Sequence, residues 1–118
     1  MLVCYVSKTG NVERFVSKLG MKAITIKVKG NMKIDDNFVF VTYTTGVGQV
    51  PENALNFLKN NYHKLLAVAA SGNRNWGQNF ARSADILAKM YQVPTVHKFE
   101  LSGTGKDIIQ FRKNICMI

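Results

Sequence analysis

Thiols are almost absent from this chain. Its 118 residues include two cysteines, Cys4 inside the first apolar run and Cys116 near the end. Two unclustered cysteines give neither a metal signature nor a disulfide framework. Long apolar runs are missing too: none approaches the ~20 residues of a membrane span. No basic segment followed by a long hydrophobic one opens the chain, so no secretion signal is read, and a reducing cytoplasm is the expected compartment. Acidic residues are few. Seven Asp and Glu stand against sixteen Lys and Arg, a formal net charge of +9. Such an excess calls for an anionic partner (nucleic acid, an acidic protein or a charged ligand) or is simply a solvated basic surface. The basic residues are dispersed, seven in 1–36 and nine in 52–118. With no Arg-rich arm and no aromatic–basic stretch, the nucleic-acid signal is weak. What is plentiful is apolar residues, 47% of the chain with 10% aromatic, a composition that excludes disorder. A chain of this length is expected to form one domain, 1–118, that buries roughly two-thirds of its unfolded surface.

Hydrophobic periodicity gives the order βαββαβαβα. Leu2–Val6 reads as a buried strand. Val12, Phe15, Val16 and Leu19 recur at helical spacing over Asn11–Gly20, and Gly20 is a natural stop. Ala23–Val28 alternates apolar and polar residues, as a strand with one face near solvent does, and Gly30–Asn37 is a polar connection. Phe38–Tyr43 and Leu65–Ala70 are continuous apolar runs, the mark of strands covered on both faces. Pro51 opens a helix to about Tyr62, with Ala54, Leu55, Leu58 and Tyr62 on one face. A helix from about Gln78 to Tyr91, a strand over Thr95–Leu101 and a helix over Gly105–Cys116 complete the pattern. Strands alternating with helices predict a mainly parallel, doubly wound sheet, whose ligands bind beyond the carboxyl ends of the strands.

Three loops fall at that edge, and all are rich in Gly, Ser, Thr and Asn. Ser7-Lys8-Thr9-Gly10-Asn11 joins the first strand to the first helix. Backbone N–H groups at a helix start lack intrahelical partners and sit at the positive end of the dipole, so the loop suits a phosphate. It suits equally an ordinary helix-capping turn. Thr44–Val50 contains Gly46 and Gly48. Glycine lets a peptide turn its carbonyl, which would serve a flavin whose N5 becomes a donor on reduction, or the glycines only make a turn. Ser71–Gly77 carries Trp76, whose ring either stacks on a flat heterocycle, with Tyr43 as a second face, or packs at a helix start. Asn73 and Asn75 can meet the polar edge of such a ring. Arg74 meets a partner's carboxylate or faces water.

Several chemistries lack their residues. The first loop has no Gly-Lys-Ser/Thr ending, so it is not a nucleotide-triphosphate loop of the Walker A kind. Gly46-Val47-Gly48 is followed by Pro51 where a dinucleotide fingerprint needs a third small residue. The sixth residue after Cys4 is Gly10, not the Arg of a phosphatase loop. The third strand ends in Thr42 and Tyr43 and offers no phosphoacceptor Asp. His63 and His97 read as isolated surface or packing histidines. Phosphate held by hydroxyls and N–H groups beside glycine-rich loops favours a mononucleotide such as FMN.

Ser7–Asn11, Thr42–Gly48 and Ala70–Gly77 together resemble the NrdI family. The likeness extends to Val93-Pro94 and to Lys98-Phe99-Glu100-Leu101-Ser102-Gly103-Thr104, and so covers nearly the whole chain. The resemblance implies a flavodoxin-like doubly wound sheet of five parallel strands in the order 2-1-3-4-5, and one non-covalent FMN. It implies that Ser7, Lys8, Thr9, Gly10, Asn11 and Val12 hold the phosphate. Tyr43, Thr44, Thr45 and Gly46 would line the flavin from one side, and Gly72, Asn73, Trp76 and Gly77 from the other. It also implies a task. Reduced FMN reacts with oxygen and supplies an oxidant, at the superoxide or peroxide level, to the small subunit of a class Ib ribonucleotide reductase. There a dimanganese centre generates the tyrosyl radical.

The expected partners are that subunit, through an acidic docking surface, and a reductant of the flavin; neither membrane nor nucleic acid is expected. The basic charge fits, because electron-carrying flavodoxins are typically acidic. Two other readings compete: a general FMN electron carrier, and a flavin-free module that uses its charge on nucleic acid.

Overall fold

A computed structural model describes residues 2–25, 32–46 and 48–118. Four parallel strands form the body of one sheet: β1 (Leu2–Tyr5), β3 (Phe38–Thr42), β4 (Leu65–Gly72) and β5 (Thr95–Glu100). A three-residue strand, β2 (Ala23–Thr25), pairs in parallel with the free side of β1. The order across the sheet is β2-β1-β3-β4-β5. Three helices connect strands, α1 (Asn11–Leu19), α2 (Glu52–Asn61) and α3 (Arg82–Tyr91), and α4 (Gly105–Ile115) follows β5. Among the described residues no helix is long and apolar enough to cross a membrane.

The period-two alternation of strand side chains sorts the core into two layers. Cys4, Phe38, Phe40, Val68 and Ala70 face α2 and α3, where Ala54, Phe57, Leu58, Ala84 and Leu87 meet them. Val3, Val39, Val41, Ala67, Ala69 and Phe99 face α1 and α4, against Val12, Phe15, Val16, Leu19, Phe111 and Ile115. With both faces covered, β1 and β3 are buried at every position. Rings close each layer. Phe15 stacks on Phe99 with centroids 3.8 Å apart and meets Phe111 edge-on. Phe57 lies between Phe38 and Phe40.

Polar ties fix the connections. Asn61 is buried at the end of α2, where its Oδ1 accepts the Ile34 N–H at 2.8 Å. Its Nδ2 donates to the carbonyls of Met32 and Phe57. Arg112 of α4 donates two bonds to the Leu19 carbonyl, satisfying the last turn of α1. At the start of α4, Thr104 and Asp107 form a full capping box. The other oxygen of Asp107 is 2.8 Å from His97 Nε2 on β5.

Several expectations need correction. The helix expected from Gln78 begins at Arg82. Residues Arg74–Asn79 instead form a tight 3₁₀ segment broken at Gly77, and Ala81 turns left-handed (φ 49°) before α3 starts. The cause is close approach: a Cβ on Gly72 would lie 2.5 Å from the Ala81 nitrogen, so the chain must fold back over β4 first. Strand β4 runs two residues past Ala70, because Ser71 and Gly72 pair with Phe99 and Glu100. The buried face of α2 is Ala54, Phe57, Leu58 and Asn61, while Tyr62 is exposed. His97 is not isolated, since it is bonded to Asp107. The expected strand residues Ile26–Val28 and the Gly30-Asn31 pair lie outside the described residues.

Two outcomes follow from these ties. Asn61→Ala leaves the buried Ile34 N–H unpaired and should lower unfolding free energy by about 1–3 kcal/mol in urea titration. The second concerns acid. Burial would raise the pKa of Asp107, but the bonds from His97, the Thr104 N–H and the Thr104 hydroxyl outweigh it and hold the carboxyl below its ordinary value. A carboxyl depressed in the folded state adds stability above its unfolded pKa and loses it as the pH falls through the folded one. The stability gap between the native chain and Asp107→Asn should therefore be full at neutral pH and shrink below about pH 4. A gap constant down to acid unfolding would contradict that assignment.

Candidate functional site

In a parallel sheet all strand ends of one kind share an edge. The loops after β1, β3, β4 and β5 meet there and enclose a cleft of about 320 Å³, at the small end of the 300–1,000 Å³ typical of ligand pockets. The first loop contributes Ser7, Lys8, Thr9, Asn11 and Val12. The loop after β3 contributes Tyr43, Thr44, Thr45 and Gly46. Gly72, Asn73 and Trp76 form the facing wall. Twelve of the fourteen residues expected at the site thus line one cavity.

The other two are not in the lining. Gly10 is the N-cap of α1, left-handed at φ 89°. Gly77, at φ 56° and ψ −120°, is the break inside the 3₁₀ segment. Both shape loops and neither forms a wall.

Two lining residues went unassigned in the sequence: Ser71 and Leu101. Ser71 belongs to β4 rather than to the loop, and its buried hydroxyl is a tie. It donates to the Leu101 carbonyl at 3.0 Å, while the Ser71 carbonyl accepts from Thr44 Oγ1 at 3.0 Å. The Thr44 hydroxyl has one hydrogen, so its 2.8 Å contact with Ser83 Oγ requires Ser83 to be the donor. Leu101 stands at the end of β5 with φ 54° and is exposed. A large apolar residue just past a strand end at the loop-bearing edge was the available signal.

The first loop meets an open helix end. The N-cap of α1 is Gly10, which has no side chain to cap with, in contrast to the complete box on α4. The Asn11 and Val12 N–H groups have no intrahelical acceptors, and the Glu13 N–H reaches Ser7 Oγ only at 3.4 Å. Hydroxyls of Ser7 and Thr9, the Asn11 amide and the Lys8 ammonium add donors around this positive end. The site is built to receive an anion.

The opposite part of the cleft is flat and aromatic. Trp76 is 40% exposed and Tyr43 is half-buried. Asn73 caps the 3₁₀ segment by accepting the Asn75 N–H at 2.9 Å, which fixes the Trp76 turn. Arg74 covers the Phe80 ring at 4.6 Å, and its N–H donates to Glu100. The loop after β3 closes on itself through paired bonds between Thr45 and Gln49, with Gly46 at φ 51°. Val47 lies outside the described residues. Cys4 is buried within β1, and burial pushes its thiol pKa up to about 12.

Comparison with known proteins agrees with this geometry. Residues 3–113 match the family model described as NrdI flavodoxin-like. Protein NrdI of Bacillus licheniformis is 51% identical over 113 residues, covering 96% of this chain and 86% of that protein. Among solved structures, oxidised flavodoxin 1 of Bacillus cereus superposes with a TM-score of 0.67 at 18% identity, covering 97% and 93% of the two chains. The Fusobacterium nucleatum flavodoxin bound to flavin mononucleotide gives 0.59 at 15% identity, covering 98% and 94%. These likenesses establish a flavodoxin-like α/β fold with a parallel sheet, and with a family match spanning residues 3–113 this chain belongs to the NrdI flavodoxin-like family.

Proposed function

We propose that the cleft holds FMN and that the protein, in its reduced form, supplies an oxidant to the small subunit of a class Ib ribonucleotide reductase. The observation that carries the reading is the uncapped N-terminus of α1 opening onto a cavity that also presents Tyr43 and Trp76. The residues fit the group. A phosphate has N–H and hydroxyl donors at one end, and a flat ring has aromatic faces at the other.

When bound, FMN supplies a ring that passes electrons to oxygen. The protein's own residues do the rest. Ser7, Thr9 and Asn11 donate to the phosphate, and Lys8 adds charge at the mouth. Tyr43 and Trp76 would flank the ring and screen its faces from water. Thr44 and Thr45 support the loop that carries Gly46. The Gly46 carbonyl would accept a hydrogen bond from N5 of the ring, because glycine permits the peptide to turn. Asn73 meets the polar ring edge. The formal net charge of +9 suits docking on an acidic surface of the reductase subunit. Work inside the cytoplasm, as one domain, completes the reading.

Purified protein should carry, or take up from solution, one equivalent of FMN and show flavin absorption. A chain that binds no flavin sinks the proposal at its first step. With FMN bound, the reduced protein plus oxygen should generate tyrosyl radical in a manganese-loaded small subunit, measured by its electron paramagnetic resonance signal. Flavin binding without radical formation would favour a general electron carrier. Affinity for the subunit should fall as salt rises, and salt-independent binding would argue against the charge-led docking.

A further inference from the structure

We infer that Arg14 is a specificity-determining positioning residue for the phosphate end of the cleft. With Ser102 it locks the Asn11 amide so that Nδ2 is the donating edge, and it keeps a positive charge behind the loop. This rests on the FMN reading above.

Three side chains make a closed triangle. Arg14 Nη2 donates to Asn11 Oδ1 at 2.7 Å, and Arg14 Nε donates to Ser102 Oγ at 3.0 Å. Ser102 Oγ donates in turn to Asn11 Oδ1 at 2.8 Å. The guanidinium has donors only, so the amide atom that faces it must be the oxygen. Two donors then converge on Oδ1, and Nδ2 is the edge left to donate. An unanchored asparagine offers oxygen or nitrogen to a ligand with little preference. Toward a phosphate the oxygen repels and the nitrogen attracts, so the lock selects for an anion. The third corner comes from far away in sequence, since Ser102 is in the β5–α4 loop, 91 residues from Asn11.

The guanidinium also lies directly behind the loop. A Cβ on Gly10 would come within 2.8 Å of Arg14 Nη1. The left-handed turn at φ 89° calls for glycine there, and any side chain would also have to displace the guanidinium. No ion pair among the described residues engages that charge; those present are His97–Asp107 and Lys98–Asp85. Its field therefore adds to the α1 dipole at the same point.

Titration of the apoprotein with FMN and with riboflavin, followed by flavin fluorescence, tests this. The two ligands share the ring and differ in the phosphate. Arg14→Met should weaken FMN binding about tenfold, the scale of one charge-assisted contact, and leave riboflavin binding unchanged. Its FMN affinity should also depend less on salt. Arg14→Lys keeps the charge but cannot reach both partners, so it should fall between. Ser102→Ala should weaken FMN alone by a smaller factor, and it carries the test if Arg14→Met fails to fold. Equal loss on both ligands would reveal a merely structural role and overturn the inference, as would no loss on FMN. A native chain that binds neither ligand fails earlier, at the FMN reading, and takes this inference with it.

Discussion

The cleft depends on a short chain of hydroxyl hydrogen bonds. Ser83 donates to Thr44, Thr44 to the Ser71 carbonyl, and the Ser71 hydroxyl to the Leu101 carbonyl. These bonds join α3 and the loops after β3, β4 and β5 at the edge of the sheet. A parallel sheet brings loops to one edge but does not fix their spacing. Here buried hydroxyls, linked by bonds of defined direction, do so. They are shielded from water, so breaking one leaves an unsatisfied polar group, which resists sliding of one loop past another.

Ends of the same helices are treated in opposite ways. The start of α4 is closed by its own Thr104–Asp107 box and braced by His97. The start of α1 is left open toward the cleft. Its last turn, by contrast, is satisfied from outside by Arg112. The α4 terminus is thus closed on itself, while the open terminus of α1 faces the cavity. Two aromatic surfaces kept partly in water, Tyr43 and Trp76, show the same division.

Much of this was legible in the sequence. The apolar runs at 38–43 and 65–70 identified strands covered on both faces, and the small-residue loops identified the edge with the cleft. Boundaries set by close approach were not legible. The displaced start of α3 follows from Gly72 lying against Ala81, a contact between residues nine apart that periodicity cannot register. Asn61 was missed on α2 because a polar residue on an apolar face looks out of register until its partners at Met32 and Ile34 are known. The bond from His97 to the capping-box residue Asp107 joins residues ten apart across a strand-to-helix turn. Ser71 and Leu101 were missed because their roles come from strand pairing and from each other. Local pattern thus located the walls of the site, while the ties between walls are properties of the tertiary fold.

The two cysteines differ sharply in setting. Cys4 is fully buried in β1, with its thiol held protonated, and Cys116 is exposed just past the end of α4. Eleven helical residues separate that exposed sulfur from the loop bordering the cleft, a distance of about 16 Å along the axis. A thiol-directed dye or spin label would therefore attach at a single position without any engineered residue. It would report on the approach of a partner from a place that leaves the cleft walls untouched.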